Sequence, residues 1–410
     1  MITVVGAGTG SPPADDLLAR AELVVGGRRH LDAVPLPETA ERVVLGPLEP
    51  ALDTIAAYDR ADRRVVVLAS GDPGFFGIVR VLAERFGPGR LQVHPGVSSV
   101  AAAFARLGLT WDDAVVVSAH GRDLRTAVHL CRARPKVAVL TGPGAGPAEL
   151  GAALRSSDRV LVVASALGSP DERVERVSPA DAAARDWGTA VSVVLCLDET
   201  RALGPVRTVA GGDPAPAGWA LPESAFAHRD SMITKFEVRA LALARLGPRP
   251  GDLVWDVGAG SGSVAVECAR FGAAVTAVEK TAEGVEQIRA NARVHGVDVH
   301  VVHGAAPEAL SGLDDPDAVF VGGGGRELPA VVTACAARAR RSVVVALAAL
   351  DRVPAARAAL TSAGLDCDGV LLQSSRLAPL PGDVTRLAAT NPVFLLWGVR
   401  SPARSEGVAQ

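Results

Sequence analysis

Short runs of β-branched and other apolar residues alternate with alanine-rich stretches along most of this 410-residue chain. The apolar runs predict buried strands, and the stretches between them predict helices, for example over 98–107 and 148–154. This order is typical of an α/β protein with largely parallel sheets. The predicted strands of the first half cover residues 3–5, 23–25, 65–69, 114–118, 136–140, 160–164 and 190–197.

The alternation stops at 204–221, a stretch rich in proline and glycine. We therefore predict a first domain over 1–203, a linker over 204–221, a second domain over 222–400 and a flexible tail over 401–410. In the second domain a helix over 235–246 precedes a series of strands with helices between them, which predicts one open sheet covered on both faces. These strands begin at Leu253, Ala274, Val299, Ala318, Ser342, Gly369 and Val393.

Composition narrows the function classes. Hydrophobic residues make up 49% of the chain, charged residues 21%, and the formal net charge is -3. This is a globular composition, and it excludes a strongly basic nucleic-acid binder, so we expect no nucleic-acid partner. Positive charge is carried almost wholly by arginine, because Lys136, Lys235 and Lys280 are the only lysines. Planar guanidinium groups suit carboxylate recognition, although the base composition of the genome explains the same bias.

Cysteine usage and the N-terminus indicate the compartment. The cysteines are scattered without a C-x-x-C pair, so we expect small core residues of a reducing cytoplasm, with neither a metal site nor a disulfide framework. The chain starts directly with a strand pattern and shows no secretion signal, and no apolar run reaches membrane-spanning length. We therefore expect a cytoplasmic protein without a membrane partner. The cysteines are Cys131, Cys196, Cys268, Cys335 and Cys367.

The second domain opens with a glycine-rich turn between a strand and a helix. Asp256 precedes Gly258, Gly260 and Gly262, and Glu279 ends the next apolar run. Backbone at such a turn can approach a ligand beside a helix N-terminus, and Glu279 stands where a ribose diol needs a bidentate acceptor. The pattern indicates a nucleotide-type cofactor site. A tight turn without a ligand, or a dinucleotide dehydrogenase, remains the alternative at this point.

The predicted helix before this sheet also carries candidate site residues. Thr234 or Ser231 is expected at its N-cap, with Glu237 completing a capping box. Lys235 and Arg239 lie four residues apart, so one helical face can present both to an anionic substrate, unless that face is simply solvated. His228, just ahead of the helix, is a candidate general acid, although a lone surface histidine is usually idle.

Two further glycine segments follow later strands of the same domain. Gly304 and Ala305 come after the third strand, and four consecutive glycines beginning with Gly322 come after the fourth. Ligands in open α/β sheets bind at the carboxyl ends of strands. We therefore expect these residues to face the cleft that contains Gly258 and Gly260.

The second domain resembles a known family. The string "ITKFEVRALALARLGPRPGDLVWDVGAGSGSVAVECAR", with "AVEK", "NARVHGV" and "GAAPEAL", is similar to the decarboxylating precorrin methyltransferase domain of cobalamin biosynthesis, a class I S-adenosylmethionine enzyme with a Rossmann-like sheet. The resemblance implies that Gly258, Gly260 and Gly262 wrap the methionine part of the cofactor, that Glu279 holds the ribose, and that Gly304 with Ala305 borders the adenine. Thr234 and Lys235 match the entry helix of that family.

The first domain resembles a second family. Its segments "VVGAGTG", "VVLASGDPGFFGI", "HPGVSSVAAAFARLGLTWDDAVVVSAHGR" and "VAVLTGPGAGPAEL" look like the tetrapyrrole (corrin and porphyrin) methylase fold, which is built from two α/β subdomains. On residues alone, the turn after the third predicted strand and the serines that begin the next helix are ordinary turn and cap chemistry. The positions that match cofactor contacts of this family are Ser70, Gly71, Asp72, Ser98, Ser99 and Thr141.

Fusion of the two domains in this order resembles the decarboxylating precorrin-6Y C5,15-methyltransferase family. The resemblance implies methylation of precorrin-6Y (precorrin-6B) at C-5 and C-15, loss of carbon dioxide from the C-12 acetate, and release of precorrin-8. It implies one S-adenosylmethionine per domain, with C-5 assigned to the first domain and the other two steps to the second. We also expect a homo-oligomer.

A tetrapyrrole substrate carries carboxylates, which calls for arginines near the clefts. Candidates are Arg229, Arg239 and Arg326 in the second domain and Arg122 in the first, with solvent-facing salt bridges as the alternative. Two other classes stay open: a nucleotide-sensing or tetrapyrrole-carrying protein without the chemistry, and a dehydrogenase. The absence of G-x-G-x-x-G with an acidic partner counts against the dehydrogenase.

Overall fold

The fold was analysed in a computed structural model, which describes residues 1–9, 15–190, 192–204, 210–211, 218–229, 233–323 and 325–401. Contacts between Cα atoms divide the chain into two units, Met1–Leu124 with Pro135–Gly212 and Arg125–Arg134 with Asp213–Gln410. Most of the predicted linker and almost all of the predicted tail lie outside the described residues. The domain limits drawn from the sequence therefore stay predictions.

The first unit contains two sheets. One is fully parallel in the order β3-β2-β4-β1-β5, and the other is mixed in the order β6-β7-β10-β8-β9. The strands of this unit are β1 (Ile2–Ala7), β2 (Leu23–Gly26), β3 (Glu41–Val44), β4 (Val65–Ser70), β5 (Leu91–His94), β6 (Val115–Ser118), β7 (Lys136–Leu140), β8 (Val160–Ser165), β9 (Arg173–Val177) and β10 (Ser192–Leu197).

Helices connect these strands because alanine-rich, amphipathic stretches follow each buried run. The first-unit helices are α1 (Asp15–Leu18), α2 (Arg28–Ala33), α3 (Leu48–Arg60), α4 (Val79–Phe86), α5 (Ser99–Leu107), α7 (Pro147–Ala153) and α8 (Pro179–Ala183), while α6 (Arg125–Ala133) groups with the second unit. The predicted strands over 136–140 and 65–69 are confirmed to within one residue. Three further strands, β3, β5 and β9, were not predicted.

The second unit is built on a seven-stranded sheet in the order β13-β12-β11-β14-β15-β19-β16, in which β19 runs antiparallel to both of its neighbours and the other six strands share one direction. A two-stranded hairpin, β17-β18, stands apart from this sheet. The strands are β11 (Leu253–Val257), β12 (Ala274–Glu279), β13 (His300–His303), β14 (Ala318–Val321), β15 (Ser342–Leu347), β16 (Asp366–Leu372), β17 (Ser375–Leu380), β18 (Val384–Ala389) and β19 (Val393–Val399).

Helices cover both faces of this sheet. They are α9 (Phe236–Leu246), α10 (Ser263–Arg270), α11 (Ala282–Val294), α12 (Leu328–Arg338) and α13 (Val353–Ser362). Alternate residues of β11 enter the two cores: Trp255 packs with α12 and α13, and Val254 packs with α9 and α10. The predicted α/β class with a Rossmann-like sheet is confirmed. None of the described helices has the length and apolarity needed to cross a membrane.

Candidate active site

The turn after β11 requires glycine. Gly258, Gly260 and Gly262 have φ of 71°, 56° and 73°, a left-handed conformation that other residues rarely adopt. The turn reverses the chain within a few residues, so α10 starts directly at the carboxyl end of β11. Its first backbone N–H groups are thereby brought to the edge of the sheet where ligands bind.

A second glycine segment packs against this turn. The Gly322 N–H donates to the Val257 carbonyl at 2.9 Å, which places the chain after β14 beside the chain after β11. A Cβ on Gly258 would come within 3.1 Å of the Gly323 nitrogen. The close approach explains why both loops carry glycine, and it brings Gly258 and Gly322 to one cleft, as the pattern of strand ends predicts.

Glu279 ties the glycine turn to the next strand. One of its carboxylate oxygens accepts from the Gly260 N–H at 3.0 Å, and the other accepts from the Thr281 N–H and hydroxyl at 2.9 and 2.8 Å. The residue is largely buried but lines the cleft. Its carboxylate is therefore held in a fixed orientation at the cavity wall, and the ribose contact assigned to it stays a prediction.

The cleft encloses a cavity of about 520 Å³, a size typical of small-molecule sites. The predicted residues that line it are Arg229, Thr234, Lys235, Gly258, Gly260, Glu279 and Gly322. Residues that the sequence did not single out also line it: Ile233, Val238, Ala259, Ser261, Lys280, Thr281, Glu283, Gly284, Gln287, Ala346, Ala348 and Val393.

The additional lining residues come from α9 and the segment before it, from the glycine turn, from the end of β12 with the first turns of α11, and from the ends of β15 and β19. The carboxyl end of β15 was a usable signal for Ala346 and Ala348, because every parallel strand of the sheet ends at this edge. Val393 was not foreseeable in this way, since β19 is antiparallel and reaches the cleft with its first residue.

Asp256 lies beneath the turn rather than in the cavity. One carboxyl oxygen accepts from the Ala265 N–H at 2.9 Å, and the other has no hydrogen-bond partner among the described residues. Burial, with a smaller contribution from the charge of Glu279, raises the pKa of Asp256 to about 7, against the lowering effect of the Ala265 hydrogen bond. The structure thus places Asp256 beneath the turn and outside the cavity lining, although the sequence pattern groups it with the glycines of the cofactor site.

Gly262 also has a packing reason for being glycine. A Cβ at this position would lie 2.9 Å from Cγ1 of Ile288, which belongs to α11. The residue forms the N-cap of α10 and does not line the cavity. Its absent side chain therefore lets two helices approach.

The expectation that Arg239 faces an anionic substrate is wrong. Its side chain is fully buried and forms an ion pair with Glu267, at 3.6 Å between Nε and the carboxylate. It also donates to the Thr234 carbonyl at 2.6 Å and to the Leu221 carbonyl, and its guanidinium lies over the Phe226 ring. Arg239 thus joins α9 to α10 and to the segment before α9.

The expected capping box at the start of α9 is wrong as well. The helix begins at Phe236, and its N-cap is Lys235, whose side chain makes no cap hydrogen bond. Glu237 instead pairs with Arg376 at 2.9 Å. Thr234 and Lys235 are left to line the cavity, and the alternative cap Ser231 lies outside the described residues.

The remaining predicted residues of this unit lie around the cavity. Gly304 donates its N–H to the Glu279 carbonyl at 2.9 Å, so the loop with Ala305 adjoins Glu279 without lining the cavity. Arg229 pairs with Glu283 at 2.8 Å at the cavity wall. His228 is partly buried next to it, and Arg326 is exposed in a short turn after β14; neither lines the cavity.

In the first unit, glycines bring three loops of the parallel sheet together. A Cβ on Gly6 would overlap the Gly71 carbonyl and the Gly96 nitrogen, and the Gly96 N–H donates to the Gly71 carbonyl at 3.1 Å. Gly71 itself has φ 58° and packs on Val97 and Ser98. The ends of β1, β4 and β5 therefore converge on one point.

The predicted serines and aspartate of this unit stabilise the conformation of the converging loops. Ser98 caps α5 by accepting from the Ala101 N–H at 3.1 Å, and Ser99 is the first residue of the helix. Asp72 accepts from the Gly74 N–H at 2.8 Å. These contacts are the turn and cap chemistry that the sequence predicts, and the assigned cofactor contacts stay predictions.

Ser70 has partners that sequence reasoning missed. Its hydroxyl accepts from the Arg29 guanidinium and lies 2.8 Å from Nε2 of His30. Both partners follow β2, next to β4 in the sheet. They could have been found only from the order of strands in the sheet, because Gly26 and Ser70 end neighbouring parallel strands.

Thr141 and Arg122 belong to the second sheet of this unit. The Thr141 hydroxyl donates to the Ser192 carbonyl at 2.6 Å, so its oxygen is engaged within the sheet. Arg122 is exposed in the turn after β6. In the same turn His120 lies so close to Gly142 that a Cβ there would come within 2.8 Å of its ring.

Comparison with known families agrees with this division of the chain. Residues 1–183 match the family described as tetrapyrrole (corrin/porphyrin) methylases, and residues 224–399 match the precorrin methyltransferase domain. The glycine turn, Glu279 and the converging loops of the first unit lie within these matches. The class defined by fold and site is thus that of methyltransferases, with two methyltransferase family models matched in one chain.

Individual relatives extend the comparison. The chain is 40% identical over 339 residues to a Sinorhizobium precorrin-6Y C(5,15)-methyltransferase [decarboxylating], covering 80% of this chain and 79% of the relative. It is 38% identical over 183 residues to a probable cobalt-precorrin-6B C(15)-methyltransferase (decarboxylating) of Pyrobaculum calidifontis, which covers 43% of this chain and 93% of that protein. It is 35% identical over 208 residues to a cobalt-precorrin-7 C(5)-methyltransferase of Salmonella typhimurium, covering 48% of this chain and 100% of that protein. The chain belongs to the family of decarboxylating precorrin-6Y C5,15-methyltransferases.

Proposed function

We propose that this protein uses S-adenosylmethionine to methylate precorrin-6Y at C-5 and C-15 and to remove carbon dioxide from the C-12 acetate, giving precorrin-8. Family membership supports the substrate class, and one structural observation carries the chemistry. The Glu279 carboxylate is fixed by Gly260 and Thr281 at the wall of a cavity that the glycine turn opens. The Glu279 carboxylate can accept hydrogen bonds from a ribose diol. The backbone of the glycine turn beside it can contact the sulfonium-bearing part of the same ligand.

The residues present fit the methyl donor. Gly260 has open space where a Cβ would stand, so a ligand can contact its backbone, and α10 begins three residues later. S-Adenosylmethionine, when bound, supplies a methyl group activated on a sulfonium. Glu279 would hold its ribose, and Gly258 and Gly322 would border it.

The other cavity residues suit the substrate that accepts the methyl group. Lys235 and Lys280 bring positive charge to the cavity, which suits a substrate with carboxylate arms. Ala346, Ala348 and Val393 form an apolar wall. Methyl transfer from a sulfonium needs orientation and exclusion of water more than an acid or base, so positioning is the main contribution of this wall.

Decarboxylation needs an acceptor for an electron pair. The conjugated macrocycle provides one itself, so the protein has to place the acetate arm and to supply a proton. Lys235 lines the cavity and is the candidate group to neutralise or orient that carboxylate. His228 remains a candidate proton donor beside the cavity.

We assign C-5 methylation to the first unit and the other two steps to the second, with one donor site in each. The relatives support this assignment, because a C(5)-methyltransferase and a decarboxylating C(15)-methyltransferase each match about half of this chain. The same proposal includes a cytoplasmic location, which the five free cysteines support, four of them buried.

A homo-oligomer is also part of the proposal. The hairpin β17-β18 pairs Leu377 with Leu387, and these side chains are 78% and 68% exposed. Exposed leucines on a two-stranded sheet with open edges favour association with a second copy. Sedimentation of wild type and of a Leu377→Ser, Leu387→Ser double variant would test this, since a monomeric wild type contradicts it.

The test of the function is calorimetry followed by mass spectrometry of the product. Wild type should bind two equivalents of S-adenosylmethionine per chain and yield a doubly methylated, decarboxylated product. Glu279→Ala should bind one equivalent and yield a product methylated once without loss of carbon dioxide. Loss of both methylations in a correctly folded variant would contradict separate sites. Metal-free and cobalt-containing substrates should be offered in parallel to establish which is accepted.

A further inference from the structure

In the first unit Ser70 forms a cluster with two side chains, Arg29 and His30, to which no role has been given above. Ser70 is the last residue of β4, and Arg29 and His30 stand at the start of α2, shortly after β2 ends. Strands β2 and β4 are parallel neighbours. Their carboxyl ends therefore bring the cluster to the same edge of the sheet as the converging loops.

The hydrogen bonds of the cluster define its charge. Arg29 donates through Nη2 to the Ser70 hydroxyl and through Nε to Nε2 of His30 at 3.3 Å. Because that nitrogen accepts, His30 is neutral, with its proton on Nδ1. Burial, reinforced by the charge of Arg29, lowers the pKa of His30 to about 4. At neutral pH the cluster thus carries the single positive charge of Arg29.

Among the residues that the structure describes, no carboxylate pairs with this guanidinium. Its hydrogen-bond partners in the described part of the chain are Ser70 and His30, both neutral, and burial alone lowers its pKa. The N–H groups that these two residues do not use remain available in one plane. The residue is exposed, so these N–H groups can be reached by a ligand, and a planar carboxylate is the anion that their geometry matches.

The cluster adjoins the point where the loops meet. The ring of His30 lies 3.6 Å from the place where a Cβ on Gly8 would stand. Thr9, in the same loop after β1, donates to the Val97 carbonyl at 2.5 Å. Gly71, which follows Ser70, packs on Val97 as well. The positive charge is therefore presented at the loop cluster formed after β1, β4 and β5.

We propose that Arg29, held in place by Ser70 and His30, binds a carboxylate at the active site of the first unit. The proposal rests on the function proposed above, because that reaction brings two sources of carboxylate to this unit. One is the amino-acid end of the methyl donor, and the other is an acetate or propionate arm of the macrocycle. Arg29 is a binding residue, and Ser70 and His30 are its positioning residues.

The first experiment separates the two sources with the full-length protein. Arg29→Gln and wild type are titrated calorimetrically with S-adenosylmethionine and with its decarboxylated form, which lacks the carboxylate. If the donor is the source, the variant loses about tenfold in affinity at one of its two donor sites for S-adenosylmethionine. It should lose nothing for the decarboxylated form, to which wild type already binds more weakly at that site.

The second experiment covers the macrocycle. If donor binding is the same in variant and wild type, the precorrin substrate should bind Arg29→Gln about tenfold more weakly. Arg28→Gln, one residue away on the same helix and also exposed, is the matched control and should behave as wild type. Arg29→Lys keeps the charge without the planar fork and should fall between wild type and Arg29→Gln.

The positioning role has its own readout. His30→Gln removes the ring but keeps a side-chain acceptor, so it should weaken the same ligand by less than Arg29→Gln does. If Arg29→Gln binds both donor forms and the macrocycle like Arg28→Gln, the carboxylate site is overturned. If wild type fails to bind two donor equivalents, the proposed function fails instead, and the two failures are thus distinguishable.

Discussion

Asp256 and Glu279 belong to neighbouring parallel strands, but only Glu279 has hydrogen bonds to both carboxyl oxygens. Glu279 is the charged member at the cavity wall, and its charge helps to raise the pKa of the more deeply buried Asp256. Two carboxyl groups next to one glycine turn thus have different roles. Glu279 is available to a ligand, while Asp256 supports the N-terminus of α10.

The raised pKa of Asp256 predicts a pH-dependent stability. The folded protein keeps this proton up to about pH 7, whereas the unfolded chain releases it near pH 4, so stability falls as pH rises between these values and is level above. Asp256→Asn cannot ionise and should lack this fall, which amounts to at most about 4 kcal/mol. Urea denaturation at pH 5 and pH 8 measures it.

The control for this experiment is Asp351→Asn, which changes an exposed carboxyl in the same unit. It should lose as much stability as wild type between the two pH values. Equal losses in wild type and Asp256→Asn would show that the Asp256 carboxyl is ionised throughout this range.

The glycine turn predicts that two neighbouring substitutions have different effects. Gly262→Ala combines a left-handed backbone with an overlap on Ile288, so we expect a loss of roughly 2–3 kcal/mol in unfolding free energy. Gly260→Ala has free space at its Cβ and should lose only about 1 kcal/mol. Because Gly260 lines the cavity, its variant should instead bind the donor more weakly. Thermal denaturation and calorimetry separate these effects, and a larger stability loss for Gly260→Ala refutes the prediction.

The burial of Arg239 predicts a structural role. Arg239→Met leaves Glu267 as an incompletely compensated buried charge, so the unfolding free energy should fall by about 3–5 kcal/mol. Activity per folded molecule should be retained at temperatures well below the new Tm. Arg245→Met, on the exposed side of the same helix, is the control and should be milder. A normal Tm with lost activity would restore Arg239 to the substrate site.

The ion pairs of Arg376 predict acid sensitivity. Burial raises the pKa of Glu223, but the hydrogen bond from Arg376, two backbone hydrogen bonds and the charge of Arg376 together outweigh it and lower the pKa to about 2. The pKa of Glu237 is lowered chiefly by the same arginine. Stability from these groups is present above about pH 4.5 and is lost as pH falls towards 2. Arg376→Gln should therefore lose less stability than wild type between pH 5 and pH 3.

Because Arg376 is substantially exposed, salt should weaken these pairs. Raising the ionic strength should bring the acid response of wild type closer to that of Arg376→Gln. If both proteins lose the same stability on acidification at low salt, the loss arises from other carboxylates.

The sequence predicts the central strands well because their pattern reports burial. Residues 253–257 and 136–140 are short, mainly apolar runs, and both form buried strands with those limits. The hairpin β17-β18 was missed because its leucines are exposed and Pro379 interrupts the run. An exposed strand pair has no burial pattern that a sequence reader can detect.

Site prediction succeeded for residues whose type is required by the local backbone conformation. It failed for residues whose position depends on contacts with distant parts of the chain. Gly258 and Gly260 were found because only glycine suits their turn. The burial of Arg239 depends on Glu267 on another helix, and the Arg29 cluster depends on the register of two strands. Such contacts are fixed by tertiary packing, so residue spacing along the chain does not report them.

The distribution of lysine has a practical consequence. Lys136 is fully buried against Asp113, while Lys235 and Lys280 both line the cavity of the second unit. Amine-reactive reagents have these two side chains and the N-terminal amine as their accessible targets in the folded chain. A single reaction, read by peptide mass spectrometry, can thus serve as an occupancy probe of the cavity, with the N-terminus as an internal reference.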